Sequence, residues 1–188
     1  MATFVDRYPA EAKAIQATFA VAFVSLGIGA LFGAIQALHR TNVFRFMDSV
    51  DYYTLLTGHG VLLALVFTIF FLAGVFQWGI TESLDTPAPD IRLTWAWVGL
   101  MTAGATFAAV AILAGLFPEI PMSADVLYTF YAPLQAHPLF YVGLAMFIVG
   151  TWIAGADWFL SYRTWRRDNP DERIPLQGFM VLTTMIMW

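Results

Sequence analysis

From Tyr53 to Ile80 the chain carries no Asp, Glu, Lys or Arg. As an α-helix that run measures about 42 Å at 1.5 Å per residue, enough to cross the roughly 30 Å hydrocarbon layer of a bilayer. Three more apolar runs lie at 14–38, 93–117 and 138–162, the 138–162 run broken only by Asp157, and a fifth occupies 176–188. The last reaches only about 20 Å as a helix, so on this reading the fifth span is incomplete. The runs are continuous rather than alternating, which argues against barrel strands, since in lipid each segment must pair its own backbone polar groups. The expected fold class is therefore an all-α membrane protein, with residues 1–188 forming part of one transmembrane domain. The N-terminus leads into its apolar run without a short signal-peptide core or cleavage site, so the first helix is expected to be retained.

Composition narrows the function classes. The chain is 60% hydrophobic and only 12% charged, and its 16% aromatic content suits interfacial rings. A net charge of -4 with no basic patch gives no surface for nucleic acid. There is no cysteine, which excludes disulfides, thiolate catalysis and cysteine-held iron–sulfur or zinc centres within this chain. No internal repeat is evident. The loops carry the charges and prolines, including Pro87, Pro89, Pro170 and Pro175. If the N-terminus lies inside, Arg7, Lys13, Arg92, Arg163, Arg166, Arg167 and Arg173 share the inner side, against Arg40 and Arg45 outside. Basic residues collect on the cytoplasmic side of membrane proteins, so the expected location is the cell membrane, multi-pass, with a cytoplasmic N-terminus.

A few polar residues inside or beside the spans need a reason. His59 stands in an apolar helix, where imidazole is costly unless it meets protein, water or a cofactor. Gly58 and Gly60 flank it and remove bulk that would keep a flat ring away. Two readings stand side by side: an axial ligand to heme iron, or a hydrogen-bonded histidine between helices. Gly27, Gly29, Gly33, Gly99 and Gly104 permit close helix approach or leave room for a flat group. His39 and His137 fall at the same membrane side as His59. His137 precedes Pro138 and reads as a helix start or as a heme partner of His59. His39 reads as interfacial or as a neighbour of a cofactor carboxylate. The third loop, with Glu119, Asp125, Tyr128 and Tyr131, is either an aromatic belt or a cap over polar cofactor groups, and Gln36 and Thr57 lie at similar depth. Asp157 is expected to snorkel to the interface or to salt-link with the basic residues on that side of the membrane, and no proton path is assigned to it.

The segments "LFGAIQAL" at 31–38, "LLTGHGVLLALVFTIFF" at 55–71, "VLYTFYAPLQAHPLFYVG" at 126–143 and "TWIAGADWF…WRRDNP" over 151–170, taken together and in this order, resemble the N-terminal part of subunit I of heme-copper terminal oxidases, nearest the ba-type branch. The resemblance covers essentially the whole chain. It implies the N-terminal five-helix portion of the multi-helix subunit I fold, with the fifth helix truncated. It also implies a low-spin heme with His59 as one axial ligand, and Gln36, His39, Tyr128, Tyr131 and His137 as possible outer-side neighbours. The parent subunit would further hold a high-spin heme and the copper CuB, whose ligands, like the second low-spin ligand, would come from later helices. Expected partners are the remainder of subunit I, oxidase subunit II, and an electron donor such as cytochrome c or a cupredoxin. Such a fragment would supply one heme ligand to an enzyme that reduces O₂ to water with proton uptake, without being catalytically complete. Two other classes remain: a membrane electron-transfer cytochrome b with a His59/His137 heme, and a heme-free membrane assembly protein.

Overall fold

The computed structural model describes residues 2–41, 46–117, 119–120 and 136–188. All its regular structure is helical: α1 (Phe4–Arg7), α2 (Pro9–Arg40), α3 (Ser49–Gly60), α4 (Thr68–Leu84), α5 (Ile91–Leu113), α6 (Pro138–Asp168) and α7 (Leu176–Met187). A π-helical stretch, Val61–Phe67, joins α3 to α4, so Ser49–Leu84 is one helix of 36 residues. Pro9–Arg40, Ser49–Leu84, Ile91–Leu116 and Pro138–Asp168 are long and apolar enough to cross a membrane.

The helix ends follow local chemistry. Thr3 and Asp6 form a reciprocal capping box at α1, which satisfies two otherwise unpaired amides. Pro9 opens α2, where a missing N–H costs nothing. Asp48 accepts from the Asp51 amide at 2.9 Å at the start of α3, and Asp90 accepts from the Arg92 amide at 2.9 Å at the start of α5. Helix α4 stops at Asp85, whose φ of 47° is left-handed. Asp is among the few non-glycine residues that tolerate this conformation. Arg7 ties that corner down, reaching Glu82 and Asp85, and the Tyr8 hydroxyl donates to Asp85 Oδ1 at 2.7 Å. Burial pushes the Tyr8 phenol up to about 12, with its bond to Asp85 adding to the shift, so it remains a donor at neutral pH.

The residues fall into two compact units. The first comprises Met1–Ala20, Phe70–Met101 and Ile148–Trp188. Its core contains Trp97, Trp158, Phe70, Ile80 and Met101, and Trp158 meets Phe76 and Trp97 edge-on at centroid distances of 5.6 and 6.2 Å. Helix α7 packs here, with the Trp188 indole donating to Thr151 Oγ1 at 2.9 Å.

The second unit comprises Val21–Ile69 and Thr102–Phe147. Ala108, Ala111, Ile112, Ala136 and Phe140 form its core, with Val61, Leu139 and Leu144 against it. Small residues dominate because α5 and α6 touch backbone to backbone. A Cβ on Gly104 would lie 2.5 Å from Gly143 O, and one on Gly143 would lie 2.5 Å from Gly104 O. Lipid gives no hydrophobic drive for helix association, so close backbone packing of this kind supplies the contact energy.

Gly143→Ala should therefore destabilise the protein by about 1–3 kcal/mol through overpacking. Gly99→Ala, where nothing lies within 4 Å of the added Cβ, should change little. Thermal denaturation in detergent checks the pair, and equal melting temperatures for the two variants would contradict the close-contact account.

Candidate functional site

His59 lies one residue before the end of α3, half-buried, facing α2 within the second unit. Its Nδ1 is 2.8 Å from the carbonyl oxygen of Gly29. A Cβ on Gly33 would fall 2.6 Å from His59 Cε1 and 2.8 Å from Nδ1. The imidazole thus occupies a notch that glycine alone leaves open. Gly29 and Gly33 are four apart, one turn on one face of α2. The buried positions Ala22, Ser25, Gly29 and Gln36 follow the same stripe.

The partner atom decides the tautomer. A carbonyl oxygen can only accept, so His59 Nδ1 must carry the hydrogen. The neutral ring then keeps its lone pair on Nε2, the atom able to bind a metal. His137 is set the opposite way. It precedes α6, and its Nδ1 accepts from the Leu139 amide at 3.2 Å, so in the neutral ring Nε2 bears the hydrogen and has no free pair.

The other expected residues are distributed as follows. Gln36 is 5% exposed, and its Nε2 has no hydrogen-bond partner among the described residues. His39 Nδ1 is likewise buried without a partner among them, and its ring packs against Phe46 and Tyr52 at 5.8 Å each. Arg40 Nε donates to the Tyr52 hydroxyl at 2.6 Å. Thr57 is buried. Tyr128 and Tyr131 lie outside the described residues, as does Asp125. The flanking glycines differ from each other: the space beside Gly58 is filled by the Phe32 ring, 2.8 Å from where a Cβ would stand, whereas Gly60 faces open space. Only Gly60 therefore offers the room expected for a flat group. Directly after it the helix widens, and Thr68 Oγ1 donates to Leu63 O five residues back at 2.9 Å. Such π-helical turns are frequent at functional sites.

Sequence reasoning missed two features. The first is the acceptor role of Gly29, whose signal was the Gly29-x-x-x-Gly33 spacing. The second is a buried polar network in the first unit. Asp157, 1% exposed, accepts from Thr94 Oγ1 at 2.7 Å and Trp97 Nε1 at 3.2 Å, while Trp158 Nε1 donates to Gln77 Oε1 at 2.8 Å. These are neutral donors, not the salt link expected for Asp157. No group of three or more His, Cys, Asp or Glu that would hold a metal ion occurs among the described residues. Heme iron needs no such cluster, since the porphyrin supplies the equatorial nitrogens and the protein only axial ligands.

The family described as Cytochrome C and Quinol oxidase polypeptide I matches residues 13–188. The chain belongs to that family. Cytochrome c oxidase subunit 1 of Thermus thermophilus is 34% identical over 190 residues, covering 97% of this chain and 32% of that protein. A chain in the cryo-EM structure of a heme-copper terminal oxidase dimer is 31% identical with a TM-score of 0.75, covering 89% of this chain and 28% of that one. The chain thus spans about a third of the length of these oxidase relatives, and its helices correspond to an N-terminal portion of a larger helical subunit.

Replacing Asp157 separates its two attributes. Asp157→Asn keeps a carbonyl acceptor for Thr94 and Trp97 and should leave the melting temperature of the full-length subunit nearly unchanged. Asp157→Leu strands two buried donors and should cost about 2–4 kcal/mol. Equal loss in both variants would show that the charge, not the acceptor, is what the fold requires.

Proposed function

We propose that this chain is the N-terminal part of the catalytic subunit of a respiratory terminal oxidase that reduces O₂ to water, of the ba-type branch, and that His59 is one axial ligand of its low-spin heme. The observation that carries the ligand assignment is the 2.8 Å bond between His59 Nδ1 and Gly29 O. It orients the ring, fixes the proton on Nδ1 and leaves Nε2 as a donor of electrons to iron. A second-shell acceptor of this kind also raises ligand basicity. The residues present fit the group: a histidine of the right tautomer, a glycine notch that seats it, open space at Gly60, and an unpaired buried amide on Gln36.

When bound, the low-spin heme supplies one-electron transfer toward the O₂-reducing centre. The work of this chain is to hold it. His59 would hold the iron through Nε2, the Gly29 carbonyl and the room at Gly33 would keep the imidazole from turning, and the surrounding apolar helices would exclude bulk water. The opposite axial ligand, and the ligands of the high-spin heme and CuB, belong in this reading to the remainder of subunit I. The same reading makes subunit II and a cytochrome c or cupredoxin donor its partners. The distribution of basic residues supports a cytoplasmic N-terminus, which puts His59 toward the outer half of the membrane. His137 is a helix-start residue here, because the tautomer its Leu139 contact requires opposes a His59/His137 cytochrome b.

In the full-length subunit, His59→Leu is expected to abolish the reduced low-spin heme band and lower heme content, while His137→Leu leaves both intact. Visible spectra of the purified variants check this. Loss of the band in the His137 variant would favour the cytochrome b alternative, and its survival in the His59 variant would remove the ligand assignment.

A further inference from the structure

Gln36 raises a question that the ligand assignment leaves open. It is 5% exposed on α2, and its amide nitrogen has no hydrogen-bond partner. A buried amide N–H without an acceptor is unfavourable, and such groups are rare in native folds. Apolar Leu or Met would fill the same volume without that cost, so the amide needs an acceptor that the described residues do not supply.

Its place on the helix indicates which one. Gln36 follows Gly33 by three residues and Gly29 by seven, so it lies on the face that seats His59. The offset from Gly33 is about 4.5 Å along the axis, toward the Arg40 end of α2. The next turn toward the same end carries a second unpaired buried atom, His39 Nδ1, and then Arg40, held by Tyr52. Polar and cationic groups thus gather at the end of the notch, while the flanking positions Leu31, Ala34, Ala37 and Leu38 are exposed. An anionic acceptor is favoured at such a place, and a donor to it forms a charge-assisted bond.

Resting on the assignment of His59 as the heme ligand, we propose that the Gln36 side-chain amide donates a hydrogen bond to a propionate carboxylate at the edge of that same heme. Gln36 is then a positioning and tuning residue. By sharing a proton with the carboxylate it weakens the negative field at the iron, which otherwise favours the ferric state. Hydrogen bonding of this kind is one of the protein's levers on heme potential.

The test uses the full-length oxidase with Gln36→Met, an apolar side chain of similar volume, and Gln36→Glu. Optical spectra report whether the low-spin heme is bound, redox titration gives its midpoint potential, and resonance Raman reads the propionate bending mode. Both variants should retain the low-spin band. The midpoint should shift downward in the Met variant and further downward in the Glu variant, with a displaced propionate mode. A Met variant whose midpoint and propionate mode match the parent would overturn the proposal. If the Met variant fails to assemble, the Glu variant decides, and an unchanged or raised midpoint would equally overturn it. A low-spin band that survives His59→Leu would instead strike the ligand assignment, so the two failures are distinguishable.

Discussion

A backbone carbonyl offers lone pairs and nothing else, and the site in this chain is organised around that fact. Gly29 O accepts from His59 Nδ1, so the imidazole has one permitted neutral tautomer and its lone pair stays on Nε2. The acceptor is available because the two helices approach closely: Gly33 leaves the room that the His59 ring occupies, and Gly29 leaves room for Leu63. A side chain at 33 would meet the ring, and one at 29 would meet Leu63. On the proposed reading, the orientation of the heme ligand would rest on a hydrogen bond between a backbone carbonyl and a histidine thirty residues away in the chain.

Glycine serves a different purpose in each setting. At Gly104 and Gly143 it lets backbones touch, and the benefit is packing. At Gly33 it makes room for one side chain, and the benefit is orientation. At Gly60 it leaves a face open. Buried polar groups show a similar division. Asp157 Oδ2 and Gln77 Oε1 have their donors within the described residues and hold α4, α5 and α6 together, although Asp157 Oδ1 is buried without one. Gln36 Nε2 and His39 Nδ1 are unpaired among the described residues, at the end of the stripe that seats His59.

Hydrophobic run length was enough to read the all-helical membrane architecture, because the bilayer imposes length and backbone pairing on any span. His59 was legible as an anomaly, since an imidazole in an apolar helix needs a reason. Its tautomer was not, because that depends on a carbonyl brought close by packing, and every residue type has a carbonyl. Asp157 was misread for a related reason. The basic residues on that side suggested a salt link, yet Arg163 and Arg166 stand six and nine positions on, away from the +3 and +4 positions where helix neighbours meet. The residue one turn on is Ser161, which donates to the Asp157 carbonyl at 3.1 Å. The actual partners come from α5, which the local sequence does not reveal. Gly58 was read as room for a cofactor, but Phe32 fills it, a cross-helix contact equally invisible to spacing on one helix.

The most direct measurement is a cryo-EM map of the intact oxidase at a resolution that defines ring orientation. The account predicts His59 Nε2 directed at the low-spin heme iron with Nδ1 still bonded to Gly29 O. A ring that presents Nδ1 to the iron, or that has left the Gly29–Gly33 notch when heme is bound, would contradict it.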